Sequence, residues 1–467
     1  MVFSSLLFLF YFLPITLFLY FICPPKYKNI ILLVVSLIFY AWGEPIYVCL
    51  ILFSAIVDYA MGLMVGKYRI SQPGKAKGFF ILSIAVNLAV LSFFKYADFL
   101  VSNINHLLGA EIGYLNLPLP IGISFYTFQT MSYIIDVYRG KVAPQRSFIS
   151  FTMYVTLFPQ LIAGPIVRYD TIEKQIQVRT VSFSLFSDGV RIFLIGLGKK
   201  VLLANNMGLL WVEIQNQPIS ELTIAAAWLG IAAFSLQIYF DFNGYSDMAI
   251  GLGKMFGFDF PQNFNYPYRS KSIQEFWRRW HITLGSWFRE YVYIPLGGNQ
   301  KGAVRMCVNL FVVWMLTGLW HGASWNYIIW GLYFGILISI EKAFLQRLLN
   351  KLHPIFQHAY FTFFILIGWV FFVFEDLQMS REFLRVMLGF DDNRMIDQQF
   401  LYFLLSNGVL LLIGLVASIP RPRYINALCK HQTMLALIMP FYYLAILVLA
   451  TAYLVNGSYN PFLYFRF

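Results

Sequence analysis

The sequence predicts an all-helical protein that crosses a membrane many times, and three observations carry that reading. Hydrophobic residues fill 59% of the 467 positions and charged residues only 12%, a balance far outside that of soluble globular chains. Mean hydropathy is +0.66. The apolar residues also come in long runs, many near the roughly 20 residues an α-helix needs to cross about 30 Å of hydrocarbon.

Those runs lie at approximately 3–22, 29–43, 46–65, 79–96, 118–137, 148–166 and 185–204, then 223–242, 304–323, 325–345, 357–374, 400–419 and 433–455. The first has no basic leader and no small-x-small cleavage site, and its positive charges follow the apolar stretch, so it reads as a retained span rather than a secretory signal. Lys26 and Lys28 follow the first run, Lys67, Arg69, Lys75 and Lys77 the third, and Arg139, Lys141 and Arg146 the fifth. The WGEP turn and the loop from Asp98 to Leu117 carry almost no Lys or Arg. Odd-numbered loops are therefore expected in the cytoplasm and the amino terminus outside. With no repeat and no sizeable polar segment, residues 1–467 read as a single integral domain.

Polar residues inside the runs mark irregular helices. LPLPIGISFYTFQTMSYIIDVYRG carries Pro118, Pro120 and Gly122 with Ser124, Thr127, Gln129 and Ser132, and LFPQLIAGPIVR carries Pro159, Gly164 and Pro165. Such backbone survives at membrane depth only where protein or water satisfies it, so broken helices around a cavity are expected. Asp241 and Asp247 are expected to pair with an arginine or to cap a helix broken near Asn243, Gly244 and Ser246, a transporter-like cation site being the rival reading. In residues 272–296, Ile273, Phe276, Trp277, Trp280, Leu284, Trp287, Phe288 and Tyr291 recur at helical spacing, with Glu275, Arg278, Arg279 and Arg289 between them. That pattern predicts one amphipathic helix at the interface, or dipping in and returning, with Glu275 and Arg279 paired at i, i+4.

The formal charge of +12 does not point to nucleic acid, because Lys and Arg are spread over short loops and no basic tail or binding motif occurs. Topology and anionic lipid head groups account for it. Cys23, Cys49, Cys307 and Cys429 form no C-x-x-C pair and read as small buried hydrophobes.

Two histidines dominate the chemistry. His321 follows Trp320 inside an apolar run, and His281 sits in the most charged segment of the chain. An ionisable residue at membrane depth is a functional candidate by default, and an imidazole with pKa near 6.5 suits proton abstraction. His321 is expected to act as general base, with His281 and its polar neighbours Asn263 or Asn265 orienting it or stabilising an oxyanion. A structural histidine bonded across helices is the rival for His321, and a side chain reaching to head groups the rival for His281. No third ligand completes a metal site, so no metal is expected. Lys199, Lys200, Arg269, Lys271, Arg278 and Arg279 are candidates to grip phosphates, with topology or lipid contact the default for each. His106, His353, His358 and His431 read as solvated.

Several motifs, taken in order, resemble the membrane-bound O-acyltransferase family, and within it the membrane subunits of bacterial polysaccharide O-acetylation. They are MVFSSLLFLFYFLP, PIGISFYTFQTMSYIIDVYRG, FPQLIAGP, FDFNGYSDMAIGLG, FWRRWHITLGSWFREYVYIPLGGN, GLWHGASWNYIIWG and NPFLYFRF, and they cover nearly the whole chain. The resemblance implies about eleven transmembrane helices, with shorter re-entrant helices, around a reaction chamber. It places the family's main histidine at His321 of GLWHG and its second catalytic position at His281 of RRWH, where many eukaryotic relatives carry Asn. Tolerance of Asn suits orientation better than proton abstraction.

The resemblance further implies an acyltransferase of the bacterial inner membrane, without a bound cofactor and with acetyl-CoA as donor. Asn263, Asn265, Trp320, Arg278 and Arg279 are then expected near the substrates. The chain has no G-D-S esterase motif, so a separate extracytoplasmic acetyltransferase is expected to pass the acetyl group to a polysaccharide. A D-alanyl, lipid or protein acyltransferase of the same fold is the alternative. A secondary transporter is the alternative from another class, although no inverted repeat supports it.

Overall fold

Bare backbone N–H and C=O groups are too costly in hydrocarbon, so apolar runs must fold as helices or closed barrels. The computed structural model describes residues 1–420, 432–457, 459–461 and 463, and among these no strand occurs. Cys429 and His431 lie outside the described residues.

A π-helical turn at Phe8–Phe12 leads into α1 (Leu13–Ile22), followed by α2 (Lys28–Ala41), α3 (Val48–Tyr68) and α4 (Pro73–Leu108). Next come α5 (Ile123–Arg139), α6 (Phe148–Thr156), α7 (Phe158–Leu161), α8 (Tyr169–Gln177) and α9 (Phe183–Gly198). A π segment, Lys199–Ala204, joins α9 to α10 (Asn205–Gln215), and α11 follows (Ile224–Met255). Two short helices, α12 (Ile273–Arg279) and α13 (Ile282–Phe288), run into a second π segment, Arg289–Tyr293. Then come α14 (Gly302–His321) and α15 (Trp325–Ile340), a third π segment, Glu341–Leu345, and α16 (Gln346–Leu349). The described helices end with α17 (Pro354–Val373), α18 (Leu377–Met387), α19 (Gln398–Ala417) and α20 (Gln432–Asn456).

Nine helices among the described residues are long and apolar enough to cross a membrane, and the protein is a multi-pass membrane protein. Shorter apolar helices, such as Phe8–Ile22, take up other runs. The span expected at 79–96 lies inside the 36-residue α4, about 54 Å long at 1.5 Å per residue. Asp98 is therefore helical rather than in a loop, and its carboxylate accepts hydrogen bonds from the Leu115 and Asn116 N–H groups at 2.7 and 2.9 Å.

Internal packing divides the chain into two compact units, Met1–Phe193 with Ser246–Pro261, and Leu194–Tyr245 with Gln262–Phe467. In the first, Phe3, Phe8, Phe12, Phe39 and Phe158 form an aromatic core. The break expected around Pro159 is present: α6 ends at Thr156, Leu157 leaves helical geometry, and Pro159 opens α7. Asp58 is fully buried here and accepts from Ser83 Oγ at 2.5 Å and Asn87 Nδ2 at 2.8 Å. Cys49 is exposed rather than buried, and Cys23 and Cys307 are partly exposed.

In the second unit α11 does not break at Gly244. The helix runs through it, and a Cβ there would stand 2.7 Å from the Gly196 carbonyl oxygen and 3.0 Å from Lys200 N. Gly244 serves close helix approach, the use small residues have inside membranes. Asp241 pairs with a lysine rather than an arginine. Lys200 Nζ lies 2.6 Å from its carboxylate, with both side chains 2% exposed. The π segment Lys199–Ala204 presents that lysine, and π-helical insertions often mark such special positions.

Candidate active site

The segment at 272–296 breaks where its helical periodicity does not. Ser272 caps α12 by accepting from Glu275 N–H at 3.1 Å, while Glu275 reaches back to accept from the N–H of Lys271, the residue before the cap, at 3.0 Å. Glu275 and Arg279 pair at 2.9 Å as their spacing predicts. The helix then stops, because Trp280 is extended and His281 is left-handed at φ +44°. Backbone groups around the break bond to the neighbouring segment instead: Ile282 N–H donates to Asn263 O and Asn265 N–H to Arg279 O, each at 2.9 Å. Trp280 packs in the same place against Trp369 and Phe264, with ring centroids 5.1 Å away in each case. Tertiary bonding and aromatic burial override the amphipathic pattern.

His281 is 2% exposed, and its Nδ1 lies 3.1 Å from Asn263 Oδ1. The same oxygen accepts from the Thr283 backbone N–H at 3.2 Å and from Thr283 Oγ1 at 2.9 Å. A backbone N–H can only donate, so the shared Asn263 atom is the carbonyl oxygen and His281 Nδ1 carries its proton toward it. In the neutral ring Nε2 is then the acceptor nitrogen.

His321 is the last residue of α14, where Gly322 turns extended. The α14–α15 hairpin that holds it is unusually tight. A Cβ on Gly318 would come within 2.2 Å of Tyr327 O, and one on Gly331 within 2.3 Å of Trp314 O, so only glycine permits this approach. The His321 ring is 3% exposed and meets Trp320, Trp330 and Phe372 edge-on, with centroids 5.0, 4.9 and 5.3 Å away. Trp320 also meets His281 edge-on at 5.9 Å, so a single indole touches both imidazoles.

Both histidines line one cavity of about 800 Å³, within the range of small-molecule sites. Among the described residues its wall includes Arg278, Arg289 and Lys342 and no Asp or Glu. Arg289 opens the second π segment and Lys342 belongs to the third, whose ammonium stands 5.7 Å from the centre of the Tyr293 ring.

The membrane-bound O-acyltransferase family model matches residues 142–380, which include both histidines. The chain is 44% identical over 397 residues to a protein of Pseudomonas putida named probable alginate O-acetylase AlgI, covering 84% of this chain and 81% of that one. A protein of the same name from Pseudomonas aeruginosa is 43% identical over 401 residues, covering 84% and 75%. The peptidoglycan O-acetyltransferase of Helicobacter pylori is 36% identical over 426 residues, covering 83% and 80%. The chain belongs to the membrane-bound O-acyltransferase family. It is accordingly an O-acyltransferase.

Within this O-acyltransferase the residues expected near the substrates separate. His281, His321 and Arg278 line the cavity, Asn263 holds His281, and Trp320 meets both imidazoles without lining the cavity. Asn265 is exposed and joins through its backbone, while Arg279 bonds Glu275 and Asn265 O; neither lines the cavity. Lys200 is committed to Asp241. Sequence reasoning missed Lys342 and the adjacent Glu341, although an acid at the end of the apolar run WNYIIWGLYFGILISIEK is a signal in itself.

The left-handed backbone at His281 also decides which replacements it tolerates. Asn enters this region more readily than Ala, for which it costs roughly 1–2 kcal/mol. Purified His281→Asn is expected to unfold at a higher temperature than His281→Ala. Equal midpoints would count against strain at this position.

Proposed function

We propose that this acyltransferase takes acetyl from cytoplasmic acetyl-CoA and delivers it across the bacterial inner membrane for O-acetylation of an extracytoplasmic polysaccharide, through a separate extracytoplasmic partner. The single observation that carries the reading is the cavity in which, among the described residues, both imidazoles share a wall with three cations and no carboxylate. A nucleotide thioester is polyanionic, and Arg and Lys are suited to its phosphates. The relatives named for acetyl transfer to alginate and peptidoglycan support acetyl as the group and polysaccharide as the destination. In this reading residues 1–467 act as one catalytic domain with the amino terminus outside.

His321 takes the proton of the acceptor hydroxyl as its oxygen attacks the thioester carbonyl. The tetrahedral intermediate collapses with cleavage of the C–S bond, and the imidazolium returns its proton to the leaving thiolate, giving the acetyl ester and CoA thiol. His281, with Nδ1–H turned to Asn263, presents an acceptor nitrogen and so serves to orient rather than to donate to an oxyanion. Trp320, Trp330 and Phe372 around His321 exclude the water that would hydrolyse the thioester.

The test is release of the free thiol by the purified chain in proteoliposomes that also hold its extracytoplasmic partner and acceptor, offered acetyl-CoA, palmitoyl-CoA or a D-alanyl carrier thioester. Acetyl-CoA is expected to be turned over. Turnover of another donor alone would overturn the assignment. Arg289→Ala and Lys342→Ala are each expected to raise KM for acetyl-CoA about tenfold, the loss of one charge-assisted contact, with kcat little changed. The phosphate-free donor S-acetyl-N-acetylcysteamine should not distinguish these variants from native protein; equal KM shifts for both donors would contradict a phosphate role.

A further inference from the structure

We propose that Glu341 is a positioning residue that fixes α12, the short helix that leads into His281, against the helix leading away from His321. The inference rests on the acyl-transfer reading of the cavity and adds to it a carboxylate that touches no substrate. Glu341 is 1% exposed, and its two oxygens accept from the backbone N–H groups of Ile273 and Gln274 at 2.7 and 2.8 Å. Tyr360 of α17 donates a third bond to the same carboxylate at 3.1 Å.

Those two N–H groups are the first of α12. Every helix start leaves four N–H groups without intrahelical partners. In α12, Glu341 takes those of Ile273 and Gln274 and Ser272 Oγ that of Glu275 at 3.1 Å, and the intrahelical ladder begins with the Phe276 N–H donating to Ser272 O at 3.1 Å. The helix is seven residues long, too short to persist by its own hydrogen bonds, so its position is set from outside.

α12 also packs on α14 and α17, where Trp277 meets Trp314 and Phe276 meets Phe361, and on α15, the helix that begins just after His321. Trp277 meets Trp330 and Phe334 at ring centroids of 5.5 and 5.0 Å, and Trp330 is itself packed on His321. One end of α12 is therefore tied to Glu341 beyond the end of α15, and its middle is seated against the ring that holds the proposed base. His281, two residues past the end of α12, follows that placement. The π insertion at Glu341–Leu345 presents Glu341 to α12 while its neighbour Lys342 lines the cavity. A carboxylate is costly to bury, and an apolar residue would fill the space more cheaply. What a carboxylate adds is two charge-assisted bonds to one helix start.

Glu341→Gln keeps the volume but turns an NH₂ group toward N–H donors. Its kcat per folded molecule is expected to fall about a hundredfold, the cost of a displacement near 1 Å at the reacting groups, with KM for acetyl-CoA within about twofold of native. In a His281→Ala background the same change should have no further effect on kcat, because Glu341 acts through His281. A further hundredfold loss there, or unchanged kcat in the single variant, overturns the proposal.

The second arm does not depend on the donor. Spin labels at Arg278→Cys and Ile355→Cys, in the full chain with its native cysteines replaced by serine, report the distance from α12 to α17. A narrow distribution in the Glu341 protein that broadens or moves in Glu341→Gln is expected. Identical distributions overturn the proposal even if activity falls. If native protein turns over no acetyl-CoA, the donor reading fails while the distances still decide the role of Glu341.

Discussion

Asp241→Ala is expected to cost about 3–5 kcal/mol of stability, the penalty for leaving one partner of a buried ion pair without its countercharge. Lys200 and Asp241 are the case in point, at 2.6 Å with both side chains 2% exposed. The pair also receives the chain near its carboxy end, because Leu463 N–H donates to Asp241 at 2.9 Å and Lys200 Nζ donates to Pro461 O. A loss of that size is a large share of the roughly 5–15 kcal/mol that holds a typical domain folded. Thermal unfolding of the purified chain should show Asp241→Ala melting far below native protein. The double variant Lys200→Met with Asp241→Leu should recover most of the loss, since an apolar pair of similar volume often replaces a buried ion pair without penalty. A single variant as stable as native would contradict this account of the pair.

His321→Ala is expected to lower kcat for acetyl transfer by about 10²–10⁴-fold, the usual worth of a positioned general base, with KM for acetyl-CoA nearly unchanged. The split follows from geometry: the cations that face the cavity sit on α12 and the π segments, whereas His321 ends α14 among Trp320, Trp330 and Phe372. The fold should tolerate the change better than the chemistry does, because the α14–α15 hairpin is held by Gly318 and Gly331 rather than by the imidazole. Loss of activity in step with loss of folded protein would instead mark His321 as structural.

Much of this was legible in the sequence, for identifiable reasons. Apolar runs such as 46–65 and 304–323 became α3 and α14 because length and hydropathy leave a membrane segment few options. The break near Pro159 was legible because proline cannot continue a hydrogen-bonded ladder. The pair of Glu275 and Arg279 followed from spacing alone.

What was not legible depended on contacts far apart in the chain. Nothing local shows that the periodic pattern through Trp280 is cut by hydrogen bonds to residues 263–265, or that His281 is left-handed there. Gly244 suggested a helix break and instead permits helix contact, a distinction set by Gly196 and Lys200. Lys200, a candidate for phosphate contact, proved to be the partner of Asp241 once the π segment turned it inward. Glu341 carried a signal by its position in an apolar run, but its bonds to Ile273 and Gln274 reach across 68 and 67 residues.

The most direct test of the central claim places the native chain or His321→Ala in sided vesicles, at equal amounts and with its extracytoplasmic partner and acceptor. Radiolabelled acetyl-CoA is supplied on the cytoplasmic face alone. The account predicts label on the extracytoplasmic acceptor with native protein and near-complete loss with His321→Ala. Equal labelling by the two proteins would contradict His321 as the base, and labelling only when donor is supplied on the opposite face would contradict the proposed direction of transfer.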